Sequence, residues 1–406
     1  MKSILLLEGV ERMYKNIGIL SMARTAVGAF GGSLKSFQAY ELAGLAVKEG
    51  VARSGVSPEQ IDEVLMGCVG QYGLNIFLGR LAGQKAGLPQ EVTGQTINRM
   101  CASGLQAIAS GADYIASGHG GFVVAGGAES MSNYPYSVQG ARWGLKMGNG
   151  QLSDDLLNAL IEPFTGTHIG ITSENIAQRY GITREAADQY ALESQEKTLK
   201  AVREGKFKEE IFQIEIQDKK STVIFDGDEY PRETSLEKLA KLRPVFTKDG
   251  VTTAGNASGI NDGAAVMVLG DLSKTDAKPL AYFLDYAVAG VDPSIMGMGP
   301  VSAIRKLMER TGLDIKDVGL FELNEAFAVQ SLACVQELGI DPDKVNVNGG
   351  AISLGHPIGA SGAVVSIKLI SEMRRRKIRY GVSALCIGGG QGMAALFEAA
   401  PCEVAP

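Results

Sequence analysis

The chain carries a weak internal repeat, and that repeat limits its possible folds more than any single motif does. Residues 42–66 read as a helix, a break at Gly55-Val56, a short helical start, and a strand Ile61-Asp62-Glu63-Val64-Leu65. Residues 301–323 read in the same order, with Gly312-Leu313 as the break and Val318-Gly319-Leu320-Phe321-Glu322 as the strand. The marker glycines Gly55 and Gly312 are 257 residues apart (312 − 55). Further on, Cys101-Ala102-Ser103-Gly104 and Gly359-Ala360-Ser361-Gly362 each open a helix, and their last glycines are 258 apart (362 − 104). Each helix leads to a strand of small and β-branched residues that ends in glycine, Phe122 to Gly127 and Val382 to Gly388. Two matches at nearly constant offset imply two copies of a mixed α/β unit.

At 406 residues and 45% hydrophobic, the chain is long enough for two or three packed units. Its 52 glycines cluster at turns without periodicity, which suits tight strand-to-helix connections and excludes a fibrous chain. A net charge of −6 and a pI near 5.4 argue against a nucleic-acid binder. The basic run Arg374-Arg375-Arg376-Lys377 reads as a solvated helix C-terminus after Val364–Met373. No run approaches the roughly 20 apolar residues of a membrane span. Cysteines 68, 101, 334, 386 and 402 form an odd set without CxxC or zinc spacing, so a reducing, cytoplasmic setting is expected. Tyr14–Leu20 reads as the start of a buried strand directly after Met13. Residues 1–12 therefore read as a non-native or disordered extension, with Met13 as the initiator.

Residues 131–253 break the repeat. A Gly/aromatic loop comes first, from Asn133 to Gly150. A charged helical segment follows, with a stripe of Ile176, Tyr180, Ala187, Tyr190 and Leu192. Then come a strand at Phe212–Gln217 and a turn at Asp226-Gly227-Asp228. This stretch reads as an insertion over the core that supplies substrate contacts.

Cys101 stands where a polar extended run, Gln95 to Met100, gives way to a helix pattern. A thiol in the first turn of a helix faces unsatisfied N–H groups and the positive dipole end, which favours the thiolate. His356, one of three histidines, lies in a glycine-walled turn with Pro357 behind it. Cys386 precedes a glycine run, Gly388-Gly389-Gly390, whose N–H groups are open to a ligand or to a tight turn. Asn324-Glu325 follows the second-copy strand, where α/β folds place functional groups and where Asn also serves as a helix N-cap. A Cys nucleophile with a His base is an acyl-transfer pairing, and a second unpaired Cys can move a proton.

On these stretches the chain resembles the thiolases, and among them the acetyl-CoA acetyltransferase (acetoacetyl-CoA thiolase) branch. The matching segments are Asn98–Gly104, Gly127–Ser132, Thr253–Gly259, Asn324–Phe327, Gly355–Pro357 and Cys386–Gly392. The resemblance implies a duplicated α/β thiolase fold: two similar mixed-sheet halves in five layers, αβαβα, with an inserted loop domain. The halves would be 13–130 with 254–281, and 282–406. The loop domain, 131–253, would bind coenzyme A and make tetramer contacts.

The same resemblance implies roles. Cys101 takes the acyl group as a thioester and His356 activates it. Cys386 is the second acid/base. Asn324 holds a water that, with His356, receives the enolate oxygen. The N–H groups of Cys101 and Gly388 stabilise the oxyanion. Ser258, His168, Arg232, Leu160, Phe246, Ala254 and Ala326 would contact coenzyme A, and Met296 and Ile169 would line the acyl pocket. Arg142–Gly148 resembles the branch's tetramerisation loop. The implied reaction is reversible condensation of two acetyl-CoA to acetoacetyl-CoA and CoA in a homotetramer, with no metal or redox cofactor. Ile169 stands where this branch usually has Met, which leaves a broader-chain 3-ketoacyl-CoA thiolase as the alternative. A non-catalytic acyl-CoA or lipid binder would be expected to lack part of the Cys101, Asn324, His356, Cys386 set.

Overall fold

The computed structural model describes residues 13–14, 16–217 and 221–401; the expectation for residues 1–12 lies outside them. The N-terminal copy comprises β1 (Ile17–Arg24), β2 (Gly28–Ala29), α1 (Ala39–Ser54), β3 (Glu63–Gly67), α2 (Leu78–Lys85), β4 (Thr93–Ile97), α3 (Ser103–Ala116) and β5 (Phe122–Ser130). The insertion follows, with β6 (Tyr136–Ser137), β7 (Ser153–Asp154), α4 (Asp155–Asn158), α5 (Gly170–Tyr180), α6 (Arg184–Arg203), β8 (Ile214–Gln217), β9 (Thr222–Phe225) and α7 (Leu236–Ala240). Strand β10 (Asn261–Asp271) then returns to the first copy. The second copy runs β11 (Ala281–Gly290), α8 (Gly299–Thr311), β12 (Leu320–Leu323), α9 (Ala328–Leu338), α10 (Ala351–Leu354), α11 (Ile358–Arg376), β13 (Tyr380–Ile387) and β14 (Gln391–Ala399).

The repeat survives in pairing as well as order. In the first copy β1 and β5 flank β10 antiparallel, while β3 runs parallel to β5 and β4 parallel to β3. In the second, β11 and β13 flank β14 antiparallel and β12 runs parallel to β13. The copies meet at β1 and β11, through the pairs Gly18–Tyr282 and Ile19–Ala281. The marker glycines do the same job twice. Gly55 and Gly312 end α1 and α8 in the left-handed region, at φ 74° and 67°. A capping-box turn follows each, Ser57 with Gln60 and Asp314 with Asp317.

Layering follows from strands that are apolar on both faces. In β5, Val123 and Ala125 face a central core while Phe122 and Val124 face an outer one. The central core holds α3 and α11 between the two halves of one ten-stranded sheet, which are joined at β1 and β11. The outer cores pack α1 and α2 on the first copy's half of the sheet, and α8 and α9 with α5 and α6 on the second copy's half. The order is therefore αβαβα. Two details differ from the sequence reading. The first strand starts at Ile17 and not Tyr14, because Asn16 sits at φ 74° and breaks the extended chain. The charged helical segment is divided into α5 and α6 by Gly181, at φ 66°.

The central helices touch at their N-terminal ends, where side chains do not fit. A methyl group on Gly104 would lie 2.9 Å from the Gly359 carbonyl oxygen, and one on Gly362 would lie 2.3 Å from the Leu105 nitrogen. The Gly362→Ala protein is expected to lose about 1–3 kcal/mol or more through overpacking. Its thermal midpoint should fall by several degrees, while Gly290→Ala, with open space at the Cβ position, should melt like the parent.

Candidate active site

The turn carrying Cys101 is held before the helix begins. Met100 lies at φ 46°, an uncommon backbone state for a residue with a side chain. The Ser103 hydroxyl donates to the Met100 carbonyl at 2.6 Å and accepts from the Arg99 N–H at 2.9 Å, which pins the turn. Helix α3 starts at Ser103, so Cys101 stands just outside it. The expected resting thiolate is not what this environment favours. Burial pushes the Cys101 thiol up to about 11, although the N–H groups of Gly388 and of Cys101 itself, both directed at the sulfur, pull the other way. Burial outweighs the helix end because a lone anion loses more hydration than two donors restore.

Cys386, near the end of β13, is also held well above the ordinary thiol range, first by burial and then by the neighbouring sulfurs of Cys101 and Cys334. At rest Cys386 is an acid with a proton to give.

His356 sits between α10 and α11. Its N–H donates to Asn261 Oδ1 at 2.9 Å, and Asn261 Nδ2 donates to the Gly28 carbonyl at 3.0 Å. Gly355 precedes it at φ 104°, with the Asn261 side chain occupying the space a Cβ would need. The hydrogen bonds assign the ring's tautomer. Ser361 Oγ donates to the Pro357 carbonyl at 2.8 Å, so it accepts from Nδ1, 2.6 Å away. Nε2 then carries the lone pair, 3.4 Å from Asn324 Nδ2. Burial lowers His356 to about 4, so the ring is neutral at pH 7 and its Nε2 lone pair is free to take a proton.

Asn324 directly follows β12 and is buried. It does not cap a helix, because α9 begins at Ala328 with Phe327 before it. Its Oδ1 is buried without a protein hydrogen bond. An orphan acceptor beside a basic nitrogen suits an ordered water.

The apolar side of the site is a small cluster around Cys386: Met296, Ala326 and Phe327, with Ile169, Phe246 and Ala257 packed against it. His168 stacks on Phe246 with ring centroids 4.8 Å apart. Its Nδ1 accepts from the Gly170 N–H at 3.0 Å, leaving Nε2–H as a donor, and burial lowers its pKa. The Ile169 N–H donates to the Leu160 carbonyl, and the Ser258 N–H to the Ala326 carbonyl. Ala254 and Arg232 lie further out and exposed; Arg232 stacks on Tyr230, whose ring abuts Gly259.

Sequence reasoning assigned no part to three buried groups. Asn261 and Ser361 hold His356 from both sides. Glu129 accepts from the N–H groups of Val69, Gly70 and Gly359, each at 2.9 Å, and from the Tyr134 hydroxyl at 3.1 Å. It thereby fastens the first copy to the start of α11. Glu129 and Ser361 lie in segments already singled out as motifs, but Val69, Gly70 and Gly359 are remote from Glu129 in sequence, and Ser361 meets the His356 ring only through the first turn of α11.

A neutral Cys101 thiol in a site whose imidazole is also neutral has a direct signature. Alkylation of Cys101 by iodoacetamide in the ligand-free protein should still be rising at pH 10, because the thiol ionises only near about pH 11. It should show no plateau between pH 5 and 8; a plateau there would reveal a preformed thiolate–imidazolium pair.

Residues 17–273 match the family model "Thiolase, N-terminal domain" and residues 277–399 match "Thiolase, C-terminal domain". The acetyl-CoA acetyltransferase of Syntrophomonas wolfei subsp. wolfei is 46% identical over 395 residues, covering 95% of this chain and 100% of that one. The crystal structure of the Bacillus anthracis acetyl-CoA acetyltransferase superposes with a TM-score of 0.93 at 45% identity, over 95% of this chain and 99% of that one. Human mitochondrial 3-ketoacyl-CoA thiolase in complex with CoA superposes with a TM-score of 0.92 at 43% identity, over 96% and 99%. With both family models matched across nearly the whole chain, and a fold and site built from two copies of one α/β unit, the chain belongs to the thiolase family.

Proposed function

We propose that the chain is an acetyl-CoA C-acetyltransferase that condenses two acetyl-CoA to acetoacetyl-CoA and free CoA, reversibly, through a Cys101 thioester. The observation that carries this reading is the convergence of two N–H groups, from Cys101 in one copy and Gly388 in the other, on the Cys101 sulfur beside the Cys386 thiol.

The protons balance in this scheme. His356 takes the Cys101 proton as the sulfur attacks the acetyl carbonyl, and the two N–H groups stabilise the tetrahedral oxyanion. The departing CoA thiolate takes its proton from Cys386. Acetyl-Cys101 then stands beside an imidazolium and a Cys386 thiolate. Cys386 removes the α-proton of a second acetyl-CoA, and its enolate oxygen is held by His356 Nε2–H and by the water on Asn324. The enolate attacks the acetyl carbonyl, Cys101 leaves as thiolate, and His356 returns its proton. The condensation balances with CoA thioesters alone.

The insertion, residues 131–253, supplies the coenzyme A surface in this reading. His168 Nε2–H, Leu160 and Phe246 would line the pantetheine arm with Ser258, Ala254 and Ala326, and Arg232 would lie near the nucleotide end. The halves are 13–130 with 254–281, and 282–406. An exposed apolar loop supports a homotetramer: Trp143 is 84% exposed and Met147 100%. Among the described residues no helix is long and apolar enough to cross a membrane. A reducing cytoplasm suits a mechanism in which Cys101 and Cys386 must remain unlinked.

Ile169 beside Met296 and Phe246 favours one second reading, a 3-ketoacyl-CoA thiolase of wider chain range. A β-branched side chain is shorter and stiffer than Met and reshapes the end of the pocket. Two experiments decide. Acetyl-CoA alone should leave an acetyl group on the Cys101 peptide by mass spectrometry, and Cys386→Ser should slow condensation far more than this transfer; an adduct elsewhere, or equal loss of both steps, would sink the mechanism. Thiolysis should fall steeply beyond acetoacetyl-CoA, whereas equal rates on long 3-ketoacyl-CoAs would establish the wider range.

A further inference from the structure

The turn that presents Gly388 has no side chain of its own to hold it. Strand β13 ends at Ile387 and β14 begins at Gln391, leaving Gly388-Gly389-Gly390 between them. Gly389 and Gly390 lie at φ 83° and 75°, and a Cβ on Gly388 would meet only the Met100 Cε, at 3.9 Å. Three successive glycines can rotate their peptide planes at little steric cost. A donor aimed at an oxyanion must nevertheless be pre-set, since reorienting it during the reaction forfeits its effect.

Besides the Gly388 N–H directed at the Cys101 sulfur, two contacts hold the turn. The Val291 N–H donates to the Gly390 carbonyl at 2.7 Å. The Gly389 N–H donates to Glu162 Oε2 at 3.0 Å. Glu162 comes from the insertion and is 0% exposed. Its other oxygen accepts from the Phe164 N–H at 3.2 Å, and its own backbone closes a tight turn, with N–H to the Thr167 carbonyl at 2.7 Å and the Gly166 N–H to its carbonyl at 2.8 Å. Among the described residues no cation pairs with this carboxylate. A buried carboxylate without a cation is costly, and two backbone N–H groups are modest compensation. Its placement is explained by what it grips. The segment that ends in His168 and Ile169 also carries Glu162, so the coenzyme A surface and the oxyanion turn are joined by one side chain.

We infer that Glu162 is a positioning residue for the acyl-transfer step: its carboxylate fixes the Gly388–Gly389 peptide, so that the Gly388 N–H stays aimed at the Cys101 thioester. This rests on the acyl-transfer reading above. The carboxylate acts as an acceptor of fixed reach. Its negative charge does no work for an oxyanion and would, if anything, oppose one.

Two variants separate reach from charge. Glu162→Asp keeps the charge and withdraws the oxygens by one methylene. Glu162→Gln removes the charge and keeps an acceptor at full length. Single-turnover acetylation of Cys101 by acetyl-CoA should slow about tenfold or more in Glu162→Asp, against the ~100- to 1,000-fold typical of deleting an oxyanion donor outright. Glu162→Gln should stay within about threefold of the parent, and the inhibition constant of product CoA should stay within about twofold in both. Parental rates in Glu162→Asp overturn the inference, as does equal slowing in Glu162→Gln, which would make charge the operative property. Slowing matched by weaker CoA binding also overturns it, by assigning Glu162 to the binding surface. Failure of the underlying reading looks different, because the parent itself would then show no acetyl group on Cys101.

Discussion

The close approach of α3 and α11 is the constraint on which the rest of the molecule depends. Gly104 and Gly362 let two helix N-termini pass within backbone contact, each occupying the space of the other's missing Cβ. Gly127 extends this contact, since a Cβ there would lie 2.0 Å from the Gly359 carbonyl. The two helices form the middle layer, so their separation sets the spacing of the two halves of the sheet. It also sets the spacing of two turns: Cys101 immediately precedes one helix and His356 lies just before the other. Close packing does not deform smoothly, so a single added methyl must displace sheet, helix and site together.

Around this contact the site is assembled from parts distant in sequence, and buried polar groups hold them. Glu129 joins the first copy to the start of α11. Glu325 takes donors from Tyr190 and Ser194 of α6 and from Asn346 and Ile352 of the second copy, which fastens the insertion to it. Arg24, wholly buried, pairs with Glu210 and Asp228 and fastens β1 to the insertion. Lys368 on α11 binds Glu322 on β12, two residues before Asn324, and the Gly349 carbonyl at the head of the His356 segment. Removing one partner from such a pair leaves a buried charge, so the network specifies geometry more than it adds stability.

The same burial determines the chemical state of the site. Two thiols and an imidazole share a low-dielectric space, and each is driven toward its neutral form. A neutral resting site has an acid, Cys386, a base, His356, and a nucleophile that ionises only as it attacks. The cost of separating charge is then met at the moment a thioester oxygen and the aligned N–H groups can share it.

The repeat, the turn glycines, the two cysteines, His356 and Asn324 were legible in the sequence, because each leaves a local mark: a helix-ending Gly, a strand apolar on both faces, a thiol or imidazole set among glycines. The duplicated fold followed from that spacing. Ionisation was not legible. A helix-start position suggested a thiolate, and only the depth of burial reversed the sign. Nor were Glu129, Asn261, Ser361 and Glu162, whose partners stand 230, 95, 5 and 227 residues away. Even the shortest of these separations places Ser361 under the ring only because α11 turns it there. The sequence by itself determined which groups the chain brings to the reaction and that they are carried on two like halves, since residue type and periodicity are local properties. The tertiary structure alone decided which atoms face one another and which are charged, because direction and dielectric arise only when distant segments exclude water together.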